Sequence, residues 1–130
     1  MLSQVSALET IPPMTIANHG PVHEIKKLLE TREVGIFHSR LNPSGVLPLE
    51  VHPFTEVIYR IKGRTKMKIG DGDYIIDAGM VAVVPEGVWH QTSSLEESDF
   101  VEQLVLCAYS QQPGNFLTDV LRTIIPPENN

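Results

Sequence analysis

From Pro43 onward, proline and glycine break the chain about every ten residues into short runs rich in Val, Ile, Thr, Tyr and Phe. That rhythm predicts an all-β domain of about eight short strands, a sandwich or a barrel. Val34 to Leu41 reads as a strand, followed by a turn at Asn42-Pro43-Ser44-Gly45, where Pro fixes φ and Gly is free to make it positive. Glu56 to Ile61 is a second run, closed by Lys62-Gly63. Thr65 to Ile69 alternates, which puts Thr65, Met67 and Ile69 on one face and two lysines in water. A tight hairpin turn at Asp71-Gly72 leads back through Tyr74 to Ile76. Met80 to Val84 is a continuous apolar run ending at Pro85, and Val88 to Ser93 and Phe100 to Tyr109 complete the set.

The two ends carry weaker patterns. Val22, Ile25, Leu28 and Leu29 have helical spacing around His23 to Glu30, although a strand pairing with Val34–Leu41 fits nearly as well. Residues 1–20 read as an arm with little core content, leaving 21–130 as one domain. Phe116, Val120, Leu121 and Ile124 are spaced as the apolar stripe of a short C-terminal helix stopped by Pro126-Pro127.

Composition narrows the classes of function. A chain of 130 residues has room for one domain. Ten Lys and Arg stand against sixteen Asp and Glu, for a net charge of −6, and the basic residues are scattered. With no basic stripe to neutralise phosphates, nucleic acid is not the expected partner. No apolar run approaches the ~20 residues that span a bilayer, and Met1 to Val5 lacks the basic start of a signal peptide. The expectation is a cytoplasmic protein with no membrane partner. Cys107, the single cysteine, sits in the apolar run Leu104 to Ala108 and reads as a buried small hydrophobe.

Two segments carry candidate chemistry: Gly45-x4-Glu50-x-His52-x3-Glu56-x6-Gly63, and Gly79-x5-Pro85-x-Gly87-x2-His90. Alternate residues of a strand share a face, so Glu50 and His52 point the same way. The even spacing returns Glu56 to that face if the strand resumes after Pro53. His90 opens another strand after the Pro85-Glu86-Gly87 turn. Carboxylates and imidazoles converging from rigid elements are how a preformed metal site is built. The first segment alone is a weak signal, since acids beside histidine are common on exposed faces, and the second alone is a turn signal.

Together the segments resemble the two motifs of the cupin superfamily. His52, Glu56 and Gly63 fit the first motif in register, and Gly79, Pro85, Gly87 and His90 fit the second. The resemblance covers about residues 34–108. There are departures: Glu50 stands where the first motif has its leading His, Gly45 is one residue closer than usual, and Ser94 replaces the closing Asn. The resemblance implies a single-domain double-stranded β-helix (a jelly-roll or cupin barrel) holding one divalent metal ion. The set Glu50, His52, Glu56 and His90 would be its ligands. Two carboxylates suit Fe²⁺ or Mn²⁺ first, with Zn²⁺ and Ni²⁺ next. A second reading keeps His52, Glu56 and His90 as a two-His, one-carboxylate set and frees Glu50 as a general base, and a third has no metal.

By strand parity Ile58 and Arg60 share the face of Glu56. Arg60 would either bind a substrate carboxylate or an internal acid, or be turned to solvent by a bulge. His38 reads as a satisfied structural histidine, Trp89 as core or interface, and His19 and His23 as surface residues. Gln103 and Tyr109 share one face, inward or outward.

The resemblance implies a metal-dependent enzyme acting on a small organic substrate, with a dioxygenase ranked first and a non-redox lyase, isomerase or polyketide-type cyclase second. Glu50 and Arg60 are its candidate catalytic residues. The competing class is a non-catalytic small-molecule-binding protein. A homodimer is expected from the edge-strand problem.

Overall fold

The structure, a computed structural model, describes residues 4–14, 16 and 19–109. The expected C-terminal helix around Phe116 and Val120 lies outside the described residues. Eight strands follow two short 3₁₀ turns at Leu8–Thr10 and Gly20–Val22. They are β1 (His23–Glu30), β2 (Val34–Leu41), β3 (Thr55–Lys62), β4 (Thr65–Ile69), β5 (Gly72–Ile76), β6 (Val81–Val84), β7 (His90–Ser94) and β8 (Val101–Ala108). One antiparallel sheet has the order β1-β2-β8-β3-β6 and the other β5-β4-β7. The all-β, two-sheet architecture is the one the sequence predicts. No helix among the described residues is long and apolar enough to cross a membrane.

Alternation decides which side chains fill the space between the sheets. On β3, Glu56, Ile58 and Arg60 are buried; on β8, so are Val101, Gln103, Val105 and Cys107. Phe37, Phe54, Ile58, Met67, Val84 and Val105 form the apolar floor. The inward face therefore interleaves polar groups with hydrocarbon along each strand. On the apolar run of β6, Ala82 and Val84 are buried while Val81 and Val83 stay about half exposed, because β6 is an edge strand covered on one face only.

Three local expectations are decided here. Of the two readings of His23–Glu30, the structure has the strand, pairing with β2 from His23↔Leu41 to Glu30↔Gly35, and not the helix. The register shifts between Lys27 and Leu29, so Leu28 is an extra residue. A bulge offsets the period-2 alternation by one, which leaves apolar spacings that imitate a helix. The positive φ after Pro43 falls on Ser44 (56°) rather than on Gly45. The β4–β5 turn lies one residue early: Ile69 pairs with Gly72, and Gly70 takes the positive φ of 57°.

The arm also contributes more to the core than its composition predicts. Met14 bridges to Ile25, Ile16 joins the core cluster, and His19 is 7% exposed.

Candidate metal centre

The segment carrying Glu50 and His52 is tied directly to the strand carrying His90. Glu50 and His90 exchange both backbone hydrogen bonds, each at 2.9 Å. Further along, Gly87 N–H donates to the His52 carbonyl at 2.9 Å. Gly87 has φ of 75°, a conformation that costs a residue with a Cβ, so glycine at this place lets the turn close on His52. These bonds, with the β3–β6 and β3–β8 ladders that hold Glu56, fix three pieces of backbone around one space.

His52, Glu56 and His90 each point one ligand atom into that space, and the three atoms lie within 4.8 Å of one another. His90 Nε2 is 3.3 Å from Glu56 Oε1, and the His52 and His90 rings meet edge to face with centroids 5.0 Å apart. His52 stacks on Phe54 at 4.9 Å. All three residues are buried.

Glu50 is beside this group, not inside it. Its Oε2 lies 3.6 Å from His52 Nε2, and its Oε1 accepts a hydrogen bond from His19 Nε2 at 2.6 Å. The structure therefore brings the four expected residues to one pocket and sets three of them as the tight cluster.

Burial sets the protonation of this cluster. Desolvation pushes His52 below the usual histidine value, with Glu56 opposing, so its ring is neutral and its lone pair free. Burial acts to raise Glu56, but the hydrogen bond and charge of His90 outweigh it and hold the carboxyl low. His90 goes the other way: burial opposes its charge, and the bond to Glu56 wins and raises it.

The donor set fits a divalent ion. Two buried carboxylates, Glu50 and Glu56, have only histidines as ion-pair partners among the described residues. Buried carboxylates normally require a full counter-charge. His52 Nδ1 is buried without a hydrogen-bond partner, and its Nε2 is beyond hydrogen-bond distance of Glu50. An imidazole left unsatisfied beside two carboxylates is a donor suited to a cation.

The cavity above the cluster has a volume of about 40 Å³. That is room for about three waters. Its wall includes Ser39, Leu47, Ile58, Thr92 and Gln103, and no Lys or Arg.

Arg60 is not on this wall, which corrects its assignment as a substrate-binding catalytic residue. It is 0% exposed, and all five of its N–H donors are committed. Nε and Nη2 donate to Gln103 Oε1 at 3.3 and 3.0 Å, Nη2 also to Thr65 Oγ1, and Nη1 to the carbonyls of Gly63 and Ile76. Burial lowers its pKa to about 10, opposed by Asp77, so it keeps its charge at neutral pH.

His19 and His23, expected at the surface, line the pocket instead. The signal in the sequence was the parity of His23 with Ile25, legible only once that segment is known to be a strand. Gln103 faces inward with Val101, Val105 and Tyr109, and Cys107 is fully buried as expected. His38 is buried outside the cavity and its Nε2 lies 2.6 Å from Glu102 Oε2, but its Nδ1 has no hydrogen-bond partner, so the expected satisfied histidine is only half satisfied. Trp89 lines a separate surface groove.

Comparison with known proteins agrees with this geometry. No functionally curated protein matches the sequence. Among solved structures the chain resembles the polyketide cyclase RemF from Streptomyces resistomycificus, with a TM-score of 0.74 and 16% identity over 98% of this chain and 89% of that one. It resembles a predicted oxalate decarboxylase from Thermotoga maritima at 0.71 and 21% identity, over 81% of this chain and 98% of that one. KdgF from Halomonas sp. gives 0.69 and 14% identity, over 88% and 96%. The cupin domain family matches residues 37–106, more than half of the sequence, and the chain belongs to that family.

Proposed function

We propose that this protein is a metal-dependent enzyme that moves a proton on a small carbonyl or hydroxyl compound, in a non-redox lyase, isomerase or cyclase reaction. The observation that carries the reading is Glu50: one carboxylate oxygen anchored by His19 at 2.6 Å, the other at the pocket wall 3.6 Å from His52. A carboxylate held this way beside a candidate metal triad could serve as a general base.

His52, Glu56 and His90 would hold one divalent ion. When bound, that ion supplies Lewis-acid polarisation of a substrate oxygen. Glu50 would take a proton onto Oε2 from the carbon α to the polarised carbonyl and return it at a second atom. His19 keeps Oε1 fixed, so the accepting oxygen stays aimed at the pocket. Ile58, Leu47 and Val105 form the apolar part of the wall around it. A wall without Lys or Arg offers an anionic substrate no counter-charge beyond the ion, which favours neutral oxygen ligands. The resemblance to the polyketide cyclase RemF is consistent with chemistry of this kind on a cupin scaffold.

A dioxygenase is the second reading. Two histidines and one carboxylate are the ligand type of non-haem Fe(II) oxygenases.

The test measures metal content and proton exchange together. Protein purified without chelator is analysed for metals, then incubated in D₂O with a panel of small α-hydroxy carbonyl compounds and followed by NMR. We expect about one equivalent of a divalent metal and exchange that Glu50→Gln abolishes while the metal stays. Substrate-dependent O₂ consumption without exchange would replace this reading with the dioxygenase.

A further inference from the structure

Polar contacts between five residue pairs join the pocket mouth to the barrel interior. Glu50 Oε1 meets His19 Nε2 at 2.6 Å, and His19 Nδ1 meets His23 Nδ1 at 2.8 Å. His23 Nε2 meets Ser39 Oγ at 2.5 Å, Gln103 Nε2 reaches the same hydroxyl at 3.5 Å, and Gln103 Oε1 receives Arg60. The residues come from the N-terminal arm, β1, β2, β8 and β3.

With His19 neutral, the chemistry of the two ends sets the direction of every bond. A guanidinium only donates, so Gln103 turns its carbonyl to Arg60 and its NH₂ to Ser39. A carboxylate only accepts, so His19 carries its proton on Nε2. A neutral His19 then has a bare Nδ1, which must accept from His23 Nδ1–H. That leaves His23 Nε2 bare, and it must accept the Ser39 hydroxyl proton. Ser39 retains lone pairs for the Gln103 amide. Each link of the chain then pairs one donor with one acceptor.

We propose that His19, His23, Ser39 and Gln103 form one oriented hydrogen-bond chain from the Arg60 cation to the Glu50 carboxylate. It fixes both histidines as single tautomers, with His19 and His23 acting as positioning residues for Glu50. Hydrogen bonds in a low-dielectric chain polarise one another, so the Arg60 charge strengthens each link toward the pocket. The meaning of this for catalysis rests on Glu50 being the base; the chain itself does not.

The chain is read by ¹⁵N NMR of the histidine rings in the full-length protein at neutral pH, which distinguishes protonated from bare ring nitrogens. Wild type is expected to show His23 protonated on Nδ1 and bare on Nε2, and His19 the reverse. Ser39→Ala removes the donor to His23 Nε2 and should spread His23 over both tautomers. Gln103→Glu still accepts from Arg60 but has no N–H for Ser39. The Ser39 hydroxyl then turns toward the new carboxylate, and the His23 proton should move from Nδ1 to Nε2. Circular dichroism checks that each variant is folded, and two variants on different strands guard against the loss of either. His23 protonated on Nε2 in wild type, or a His23 spectrum unchanged in both folded variants, would overturn the chain. Absence of metal from wild-type protein would instead sink the functional proposal and leave these spectra interpretable.

Discussion

His19 Nε2 lies 2.6 Å from Glu50 Oε1, although the two residues are separated by 31 positions and only one of them belongs to the barrel motifs. The arm therefore completes the pocket. Replacing His19 by Ala should remove a charge-assisted bond and cost about 1.5–3 kcal/mol of stability. Metal content should be unchanged, because the triad is intact, while Glu50-dependent proton exchange falls. Denaturant melts, metal analysis and exchange rates on the same preparation check the three parts.

Metal binding should respond differently to the two kinds of residue. His90→Ala and Glu56→Gln each remove a ligand, and the loss of affinity should exceed the ~10–100-fold typical of a supporting residue. Metal added at about 100 times its Kd should stabilise wild type by about 2.7 kcal/mol and leave His90→Ala unmoved. Thermal shift with and without chelator measures both.

Stability should also depend on His23 as acid is added. Burial, with help from His19 and against Glu56, lowers its pKa from 6.5 to about 4. Between those values the unfolded chain binds a proton that the folded one refuses. Stability therefore falls as pH drops from about 6.5 to about 4, by roughly 3 kcal/mol at most. Chelated protein melted across this range should show a shallower slope for His23→Gln than for wild type. Equal slopes would mean that His23 titrates alike in both states.

The outward faces of β3, β6 and β8 carry Tyr59, Val81, Val83, Leu104 and Leu106, each between about one-third and three-fifths exposed. Tyr59 is paired with both Leu104 and Val81, and Val57 with both Leu106 and Val83, so these side chains form one continuous apolar surface. Such a surface is expected to be an association face. Light scattering should find a homodimer for wild type and a monomer for Val83→Glu, with little change in melting temperature.

Much of this fold was legible because its turns and alternation obey local chemistry. Thr65–Ile69 and Val34–Leu41 match their strands residue for residue. His52, Glu56 and His90 were legible from spacing plus resemblance, since rigid strands convert sequence intervals into positions. The His23 segment was not, because the bulge at Leu28 breaks the period on which such reading depends. Arg60 showed its inward direction but not its partners: whether Gln103 faces it depends on the β3–β8 register, a long-range property absent from either segment alone. His19 lay beyond reach for the same reason, being placed by the path of the arm.

The paired hydrogen bonds between the Glu50 and His90 backbones, and the one from Gly87 to His52, hold the donor side chains at their stations through main-chain atoms alone. Loading such a socket requires no refolding. One ion could thus replace another without disturbing the barrel, and the metal bound would follow what the surroundings supply as much as what the chain prefers.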